Sequence, residues 1–551
     1  MKKLLALALS LSLCAGLLTA CGSQSSSSSG GASNVSTSSS GQTELEENGV
    51  TPVGTYPIVT EPLTLSIMGR KDPGAPDWGE LEIFKRLTDI TGISFDFEMS
   101  ETESFDEQKN IALVGGQYPG MIWRDAASAV TDEETYGPQG IFLDLTDLID
   151  KYAPNLKAFL EKRPDVKAAI TALDGKVYGL PYVFETATTE GHLSFFDSRW
   201  MENVGIAKVP ETTDELYEML KAFKEKDANG NGDPDDEIPF SCVGLDNFDI
   251  RRMMITAFTG LPDGLGFNIS DDGEVVYAPA TQEYKSFLEY ARKLYAEGLL
   301  DAEFSTQTPQ QHQAKVKGGI VGIYCVSPTL LDPSTTSQQL SLPPLTSATN
   351  SKKVLKGPDG VNPGRAFITD KCENPIAAIR LIDMFYATDD NAVEGFCGQT
   401  PFLGWENETW KYTDSTKTVY EWIAPITGFA DINKTVSVTM HLPGYLSFLA
   451  MPSGNPLMEM KVTQVEKMQK PYYTDAYPIS ARFNKEESDR GNMIENDLKN
   501  YVLMMSTKFI TGEESIDNFD SYLSTIEKTG LPELLTIKTN AYARWKSAFD
   551  N

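Results

Sequence analysis

The sequence predicts an α/β fold in two lobes, each a mostly parallel sheet flanked by helices, with a helix-rich C-terminal part. Three observations carry this. The chain has 551 residues, 40% hydrophobic and 10% aromatic, enough at about 150 residues per domain for several globular units or two large lobes, and too apolar for disorder over most of its length. Between residues 63 and 123 strand-like and helix-like periodicities alternate, the pattern of a parallel sheet with helices on its faces. Downstream, helices dominate and short apolar runs interrupt them without a fixed-period repeat. That excludes a solenoid or propeller and suits two lobes between which the chain passes more than once.

Taken in order, Met1-Lys2-Lys3, the apolar stretch Leu4 to Leu18 and Thr19-Ala20-Cys21 make the three regions of a signal peptide over 1–20. The stretch is shorter than the ~20 apolar residues of a membrane-spanning helix. Leu18-Thr19-Ala20-Cys21 resembles a bacterial lipobox, whose cysteine is diacylated after cleavage. From Gly22 to Thr43 nearly every residue is Ser, Gly, Thr, Asn or Gln, a composition that cannot bury enough surface to fold. A lipidated Cys21 and a flexible tether are therefore expected over 21–58.

Leu63 to Ile67 alternates as a half-buried strand does, and Leu81, Ile83, Phe84 and Leu87 repeat at helical spacing over 80–91. A strand over 93–97, a helix over 106–114 and a strand over 121–123 complete a β-α-β-α-β run. Helices are then expected over 146–151, 155–160, 166–173, 213–225, 282–296, 375–386, 488–507 and 515–528, with apolar runs at 177–181, 193–196 and 319–324. In an open α/β sheet ligands bind beyond the carboxyl ends of the strands.

Charge narrows the partners. The 47 Lys and Arg against 78 Asp and Glu give a net −31, which repels phosphate backbones and anionic surfaces, so nucleic-acid binding is not expected. Apart from Cys21, the mature chain keeps Cys242, Cys325, Cys372 and Cys397 without C-x-x-C spacing, so neither a zinc knuckle nor a thioredoxin-type motif is present. Buried free thiols are expected, with a Cys372–Cys397 bridge as the alternative in an oxidising exterior.

Four segments in order carry a family resemblance. Gly115-Gly116-Gln117-Tyr118-Pro119-Gly120-Met121-Ile122-Trp123, Asp174 to Tyr182 (DGKVYGLPY), Pro210 to Leu216 with Phe223 to Gly232 (FKEKDANGNG), and Phe519 to Tyr522 with Ala541-Tyr542-Ala543-Arg544-Trp545 resemble extracellular solute-binding lipoproteins of carbohydrate ABC transporters, family 1 type, similar to the alginate-oligosaccharide binders and LplA-like lipoproteins. Gly120 departs from the pattern, standing where the family commonly has Asp. The resemblance implies a type II periplasmic-binding-protein-like fold, with 59–185 mainly in the N-terminal lobe, 186–310 in the second, 311–440 returning to the first and 441–551 forming a helical part of the second. It also implies a lipid-anchored receptor on the extracellular face of the cell membrane that closes on an oligosaccharide and hands it, unaltered, to permease subunits. A monomer that is not an enzyme is the expectation.

The sharpest local signal is Asp227-Ala228-Asn229-Gly230-Asn231-Gly232-Asp233-Pro234-Asp235-Asp236-Glu237. Asp227, Asn229 and Asn231 set side-chain oxygens at alternate positions, and the glycines let the backbone curl around a hard cation, which suits structural Ca²⁺. The twelfth position, bidentate Glu in an EF-hand, is Ile238. The family resemblance implies an acidic pair soon after the Asn residues that closes the site, here either Asp235-Asp236 or Asp236-Glu237, with Asp233 a further acidic candidate. A metal-free acidic turn is the alternative.

Sugar binding needs flat apolar faces and planar polar groups. Trp78, Trp123, Tyr182, Phe184, Trp405 and Trp422 are the aromatic candidates, and Asp125 and Glu185, with Arg70 and Arg124, the polar ones. Each also suits ordinary packing or a surface charge. The acidic balance favours a neutral sugar. His192, His312 and His441 fall in no H-E-x-x-H, and neither G-x-S-x-G nor a Walker loop occurs. Hidden carboxylate pairs keep a secreted polysaccharide lyase or hydrolase as the rival reading, and a peptide-binding receptor as the third.

Overall fold

The computed structural model describes residues 44–123, 129–186, 193–246, 250–326, 338–357, 360–438, 442–454 and 456–549. The signal peptide, Cys21, and the segment up to residue 43 lie outside the described residues, as do Arg124, Asp125, His192 and His441.

Strand β1 (Leu63–Lys71) pairs in parallel with β2 (Ile93–Glu101) on one side and β3 (Met121–Trp123) on the other. Helix α1 (Glu82–Thr91) links the first two, burying Ile83, Phe84, Leu87 and Ile90, the stripe that a 3.6-residue period places on one face. Helix α2 (Thr102–Gly115) joins β2 to β3; α3 (Ala129–Tyr136) follows, then α4 (Pro164–Ile170) and β4 (Gly179–Thr186). After β4 the chain enters the second lobe through β5 (Leu193–Asp197), continuing with β6 (Ile238–Phe240), β7 (Val321–Val326) and β8 (Gln339–Ser341) in the order β8-β5-β7-β6. It returns as β9 (Val361–Ile368), which inserts antiparallel between β3 and β4, and β10 (Gly444–Phe448), parallel to β4; the first sheet reads β10-β4-β9-β3-β1-β2.

Two cores confirm two lobes. One gathers Ile67, Trp78, Phe84, Trp123, Leu180 and Ile379; the other Trp200, Leu216, Phe223, Phe287, Leu498, Phe509 and Tyr522. The C-terminal helices therefore belong to the second core. They include α5 (Lys485–Thr511), started by a capping box between Asn484 and Glu487, and α6 (Leu531–Phe549).

Several expectations are corrected here. The return to the first lobe comes at β9, later than 311, because β7 and β8 pair within the second sheet. The stretch from 441 begins in the first lobe, since β10 adds to its sheet. The second sheet is mixed: only β6 and β7 run parallel, because β5 and β8 carry the chain into and out of the lobe and are no product of strand-helix-strand repetition. The tether ends before 58. Leu45, Val50 and Ile58 are buried in the first core, and Val50 bridges Val59. Cys372 and Cys397 are both free thiols, so the alternative bridge between them is not formed. Among the described residues no helix is long and apolar enough to cross a membrane.

Among the described residues, ties join the lobes and the segments that connect them. A short parallel ladder pairs Leu355 with Tyr473 and Lys356 with Thr474. The hydroxyls of Thr131, on α3, and Ser488, on α5, lie 3.1 Å apart. Arg482, almost fully buried, reaches from the second lobe to Glu133 at 2.6 Å and Glu134 at 3.2 Å on α3, and donates to the Ala169 carbonyl at 2.8 Å.

Candidate functional site

A cavity of about 560 Å³ opens between the lobes, within the range of small-molecule sites. The first lobe contributes Asp165 and Ala169 from α4 with Gly360 and Val361 at the start of β9, and the second contributes Ile269, Tyr477, Tyr542 and Trp545. Helix α6 sets Tyr542 and Trp545 one turn apart. Their rings stack at 5.7 Å and 19°, and Tyr477 leans on Tyr542 at 6.3 Å.

Hydrogen bonds fix these rings. Trp545 Nε1 donates to Ser480 Oγ at 2.8 Å, and the Tyr477 hydroxyl donates to the Lys538 carbonyl at 2.9 Å. Burial pushes the Tyr477 phenol up, so it stays protonated. Asp165 receives both arms of Arg163, at 2.8 and 2.6 Å, and this guanidinium holds its carboxyl below the usual range. Stacked aromatic faces beside oriented polar groups form a wall suited to a pyranose or furanose, whose C–H side is apolar and whose rim carries hydroxyls.

None of the described candidates read from the sequence lines this cavity. Trp78 is wholly buried, stacked on Phe84 at 5.5 Å. It lies over Gly69, where a Cβ would come within 2.9 Å of the indole, so a glycine on β1 makes room for a ring in the core. Trp123 is wholly buried against Phe385, and Trp405 is buried with the Arg86 guanidinium 4.2 Å from its ring. Such side chains offer no face to a ligand. Tyr182 is buried and stacks on half-buried Phe184 at 5.5 Å; Trp422 packs edge-on to Phe429 at 5.2 Å in the same aromatic cluster. Glu185 accepts from Arg163 and, at 2.9 Å, from the Tyr445 hydroxyl. Phe184 comes nearest the site: its backbone N–H donates to Gly360, which lines the cavity. At Gly120 a Cβ would sit 3.0 Å from the Cys372 Cα, so the loop has no space for the carboxylate that the family pattern carries there. His312 is buried, its ring 3.2 Å from the Ser241 carbonyl, and burial lowers its pKa.

The loop after the helix Thr213–Glu225 is built on side-chain oxygens. Asn229 and Asn231 Oδ1 accept from the backbone N–H groups of Asn231 and Asp233, while both amides donate to Asp236, at 2.9 and 2.7 Å. Glu237 is buried and accepts from Ala228 N at 2.8 Å; burial raises its carboxyl pKa. Asp233 and Asp235 are exposed, so Asp236 and Glu237 are the acidic pair that faces the loop. Asp227 Oδ1 and Glu237 Oε2 are buried without a hydrogen-bond partner, a costly state that a hard cation would relieve. Among the described residues, no three His, Cys, Asp or Glu side chains form a ready cage.

The cavity aromatics carried a signal in the sequence. Tyr542 and Trp545 stand three apart in a helix, hence on one face, whereas loop or strand-end placement drew attention to other aromatics.

No family model matches the chain. The fructooligosaccharide ABC transporter substrate-binding protein FusA of Streptococcus pneumoniae is 27% identical over 519 residues, covering 90% of this chain and 92% of its own. Lipoprotein LipO of Bacillus subtilis is 24% identical, covering 82% and 86%. Among solved structures, an EF-hand mutant of FusA in complex with fructo-nystose superposes with a TM-score of 0.70 at 25% identity, covering 88% of this chain and 99% of that one.

Proposed function

We infer that this chain, a homologue of the substrate-binding proteins of carbohydrate ABC transporters, captures an oligosaccharide between its two lobes and delivers it to an importer. The observation that carries this reading is the inter-lobe cavity with its stacked Tyr542 and Trp545. Both lobes wall it, so a ligand that touches both favours the closed arrangement by its differential contacts. The relatives are binding proteins, which supports capture over cleavage. Calorimetric titration with neutral fructooligosaccharides and other neutral oligosaccharides tests it: saturable binding with the sugar recovered intact is expected, and shortened products would overturn it.

Calcium belongs to the same reading. Asp227, Asn229, Asn231, Asp236 and Glu237 would hold the ion, which supplies charge balance to oxygens otherwise buried unpaired; the EF-hand named in the FusA mutant supports this. Chelation is expected to lower the melting temperature by a few degrees, since roughly 1 kcal/mol moves a domain of 150–250 residues by about 2–4 °C. Glu237→Gln should remove the chelator effect, and an unchanged melting curve would count against the metal.

Lipidation at Cys21 places the receptor on the outer face of the membrane, where permease subunits receive the sugar; the lipoprotein name of LipO supports it. Labelling with a palmitate analogue should mark the wild type and leave Cys21→Ala unmarked. Label on the variant would refute anchoring there.

A further inference from the structure

Lys538, Tyr542 and Trp545 stand at i, i+4 and i+7 of α6, so they share one face of the helix. Two of them stack as the aromatic wall. The third carries an ammonium, nearly wholly buried, on the row that continues that wall. Its Nζ lies 4.4 Å from the centre of the Phe267 ring, 5.1 Å from that of Tyr477 and 5.2 Å from that of Phe483. Its counter-ion is Glu495 on α5, at 3.0 Å, whose side chain is 47% exposed and therefore screened by solvent.

A methionine would fill this space without the cost of desolvating an ammonium. It could not draw three ring faces towards one point, an attraction that strengthens where water is excluded. Tyr477 is held by this residue twice: its hydroxyl donates to the Lys538 carbonyl at 2.9 Å, and its ring lies against the Lys538 ammonium. Its backbone N–H donates to the Phe267 carbonyl at 3.3 Å, so the main chain is tied to the same seat. With the phenol fixed in this way, the ring leans on Tyr542 at 6.3 Å, and Tyr542 stacks on Trp545. Contacts thus run in one line from the cation to the indole.

We propose that Lys538 is a positioning residue for the binding wall: its ammonium sets the plane of the Tyr477 ring and, through it, the seating of Tyr542 and Trp545. The consequence for affinity rests on the oligosaccharide-binding reading above. The positioning does not, since it belongs to the rings themselves. The rings, more than the half-exposed Glu495, hold the cation in place.

The test uses the full chain with isotope-labelled tryptophan. The Trp545 indole N–H resonance, assigned by its loss in Trp545→Phe, reports the far end of the line, and calorimetric titration with neutral fructooligosaccharides and other neutral oligosaccharides reports affinity. Lys538→Met should move that resonance and weaken binding about fivefold or more. Lys538→Arg keeps a cation that stacks on rings, and should bring the resonance back and hold affinity within about twofold of the parent. Glu495→Gln breaks the ion pair but leaves the ammonium among its rings, so the resonance should stay and affinity should again lie within about twofold. Phe483→Leu removes one ring and strands no charge; it serves where Lys538→Met fails to fold, and should move the same resonance. A folded Lys538→Met with the resonance in place and parental affinity would overturn the inference and leave oligosaccharide capture standing, as would a Glu495→Gln that reproduces both losses. If the parent binds no neutral oligosaccharide, the capture reading fails and the resonance alone decides: moved in Lys538→Met and restored in Lys538→Arg, it upholds the positioning role, and unmoved it overturns it.

Discussion

Trp545→Ala is expected to weaken oligosaccharide binding by about 2 kcal/mol or more, roughly 30-fold, the range of a buried aromatic anchor at a binding site. The ring offers a stacking face continuous with Tyr542, and its Nε1 bond to Ser480 fixes the angle of that face. Removing it also frees Tyr542, so the loss exceeds the area of one ring. Trp545→Phe keeps a face but not the hydrogen bond and should recover part of the affinity. Calorimetry with circular dichroism as a folding control reads the result. An alanine variant that is folded and binds as tightly as the parent would remove this wall from the site.

Arg482→Ala should cost about 3–5 kcal/mol of stability, because it removes the guanidinium that meets a wholly buried Glu133 carboxylate at 2.6 Å. The effect has a pH signature. Burial pushes the Glu134 carboxyl up while the Arg482 charge pulls it back; without that charge, burial and the Asp174 charge are opposed only by the Leu173 N–H. A carboxyl whose folded pKa exceeds its unfolded value of about 4.3 holds more protons when folded, so stability falls as pH rises through that interval. The variant should therefore recover part of its loss on acidification towards pH 5, relative to the parent. Urea denaturation at several pH values reads both quantities. A deficit below 1 kcal/mol, flat with pH, would mean that this ion pair contributes little to the joint between the halves.

The architecture was legible where one period dominates. The Leu81, Ile83, Phe84 and Leu87 stripe and the alternation of 63–67 both emerge as α1 and β1, because a single buried face decides each. Sheet membership was not legible. β9 stands antiparallel among parallel strands, and only long-range pairing, invisible in local periodicity, puts it there. Which aromatics are buried and which line the cavity was not legible for a related reason: Trp78 follows a loop, yet Gly69 on β1 opens a seat for it in the core, whereas Tyr542 and Trp545 sit on a helix whose cavity face is defined by the other lobe. The loop of Asp227 to Glu237 stands out in the sequence because its oxygens are close together and need no distant partner to be noticed. Its acidic register still required the fold, which turns Asp236 and Glu237 inward.

Leu45, Val50 and Ile58 stitch the start of the described chain into the first core. The described chain thus begins by filling the core of the half built on β1 to β4, while the half that carries the loop of Asp227 and the stacked rings of α6 takes none of these three side chains into its core.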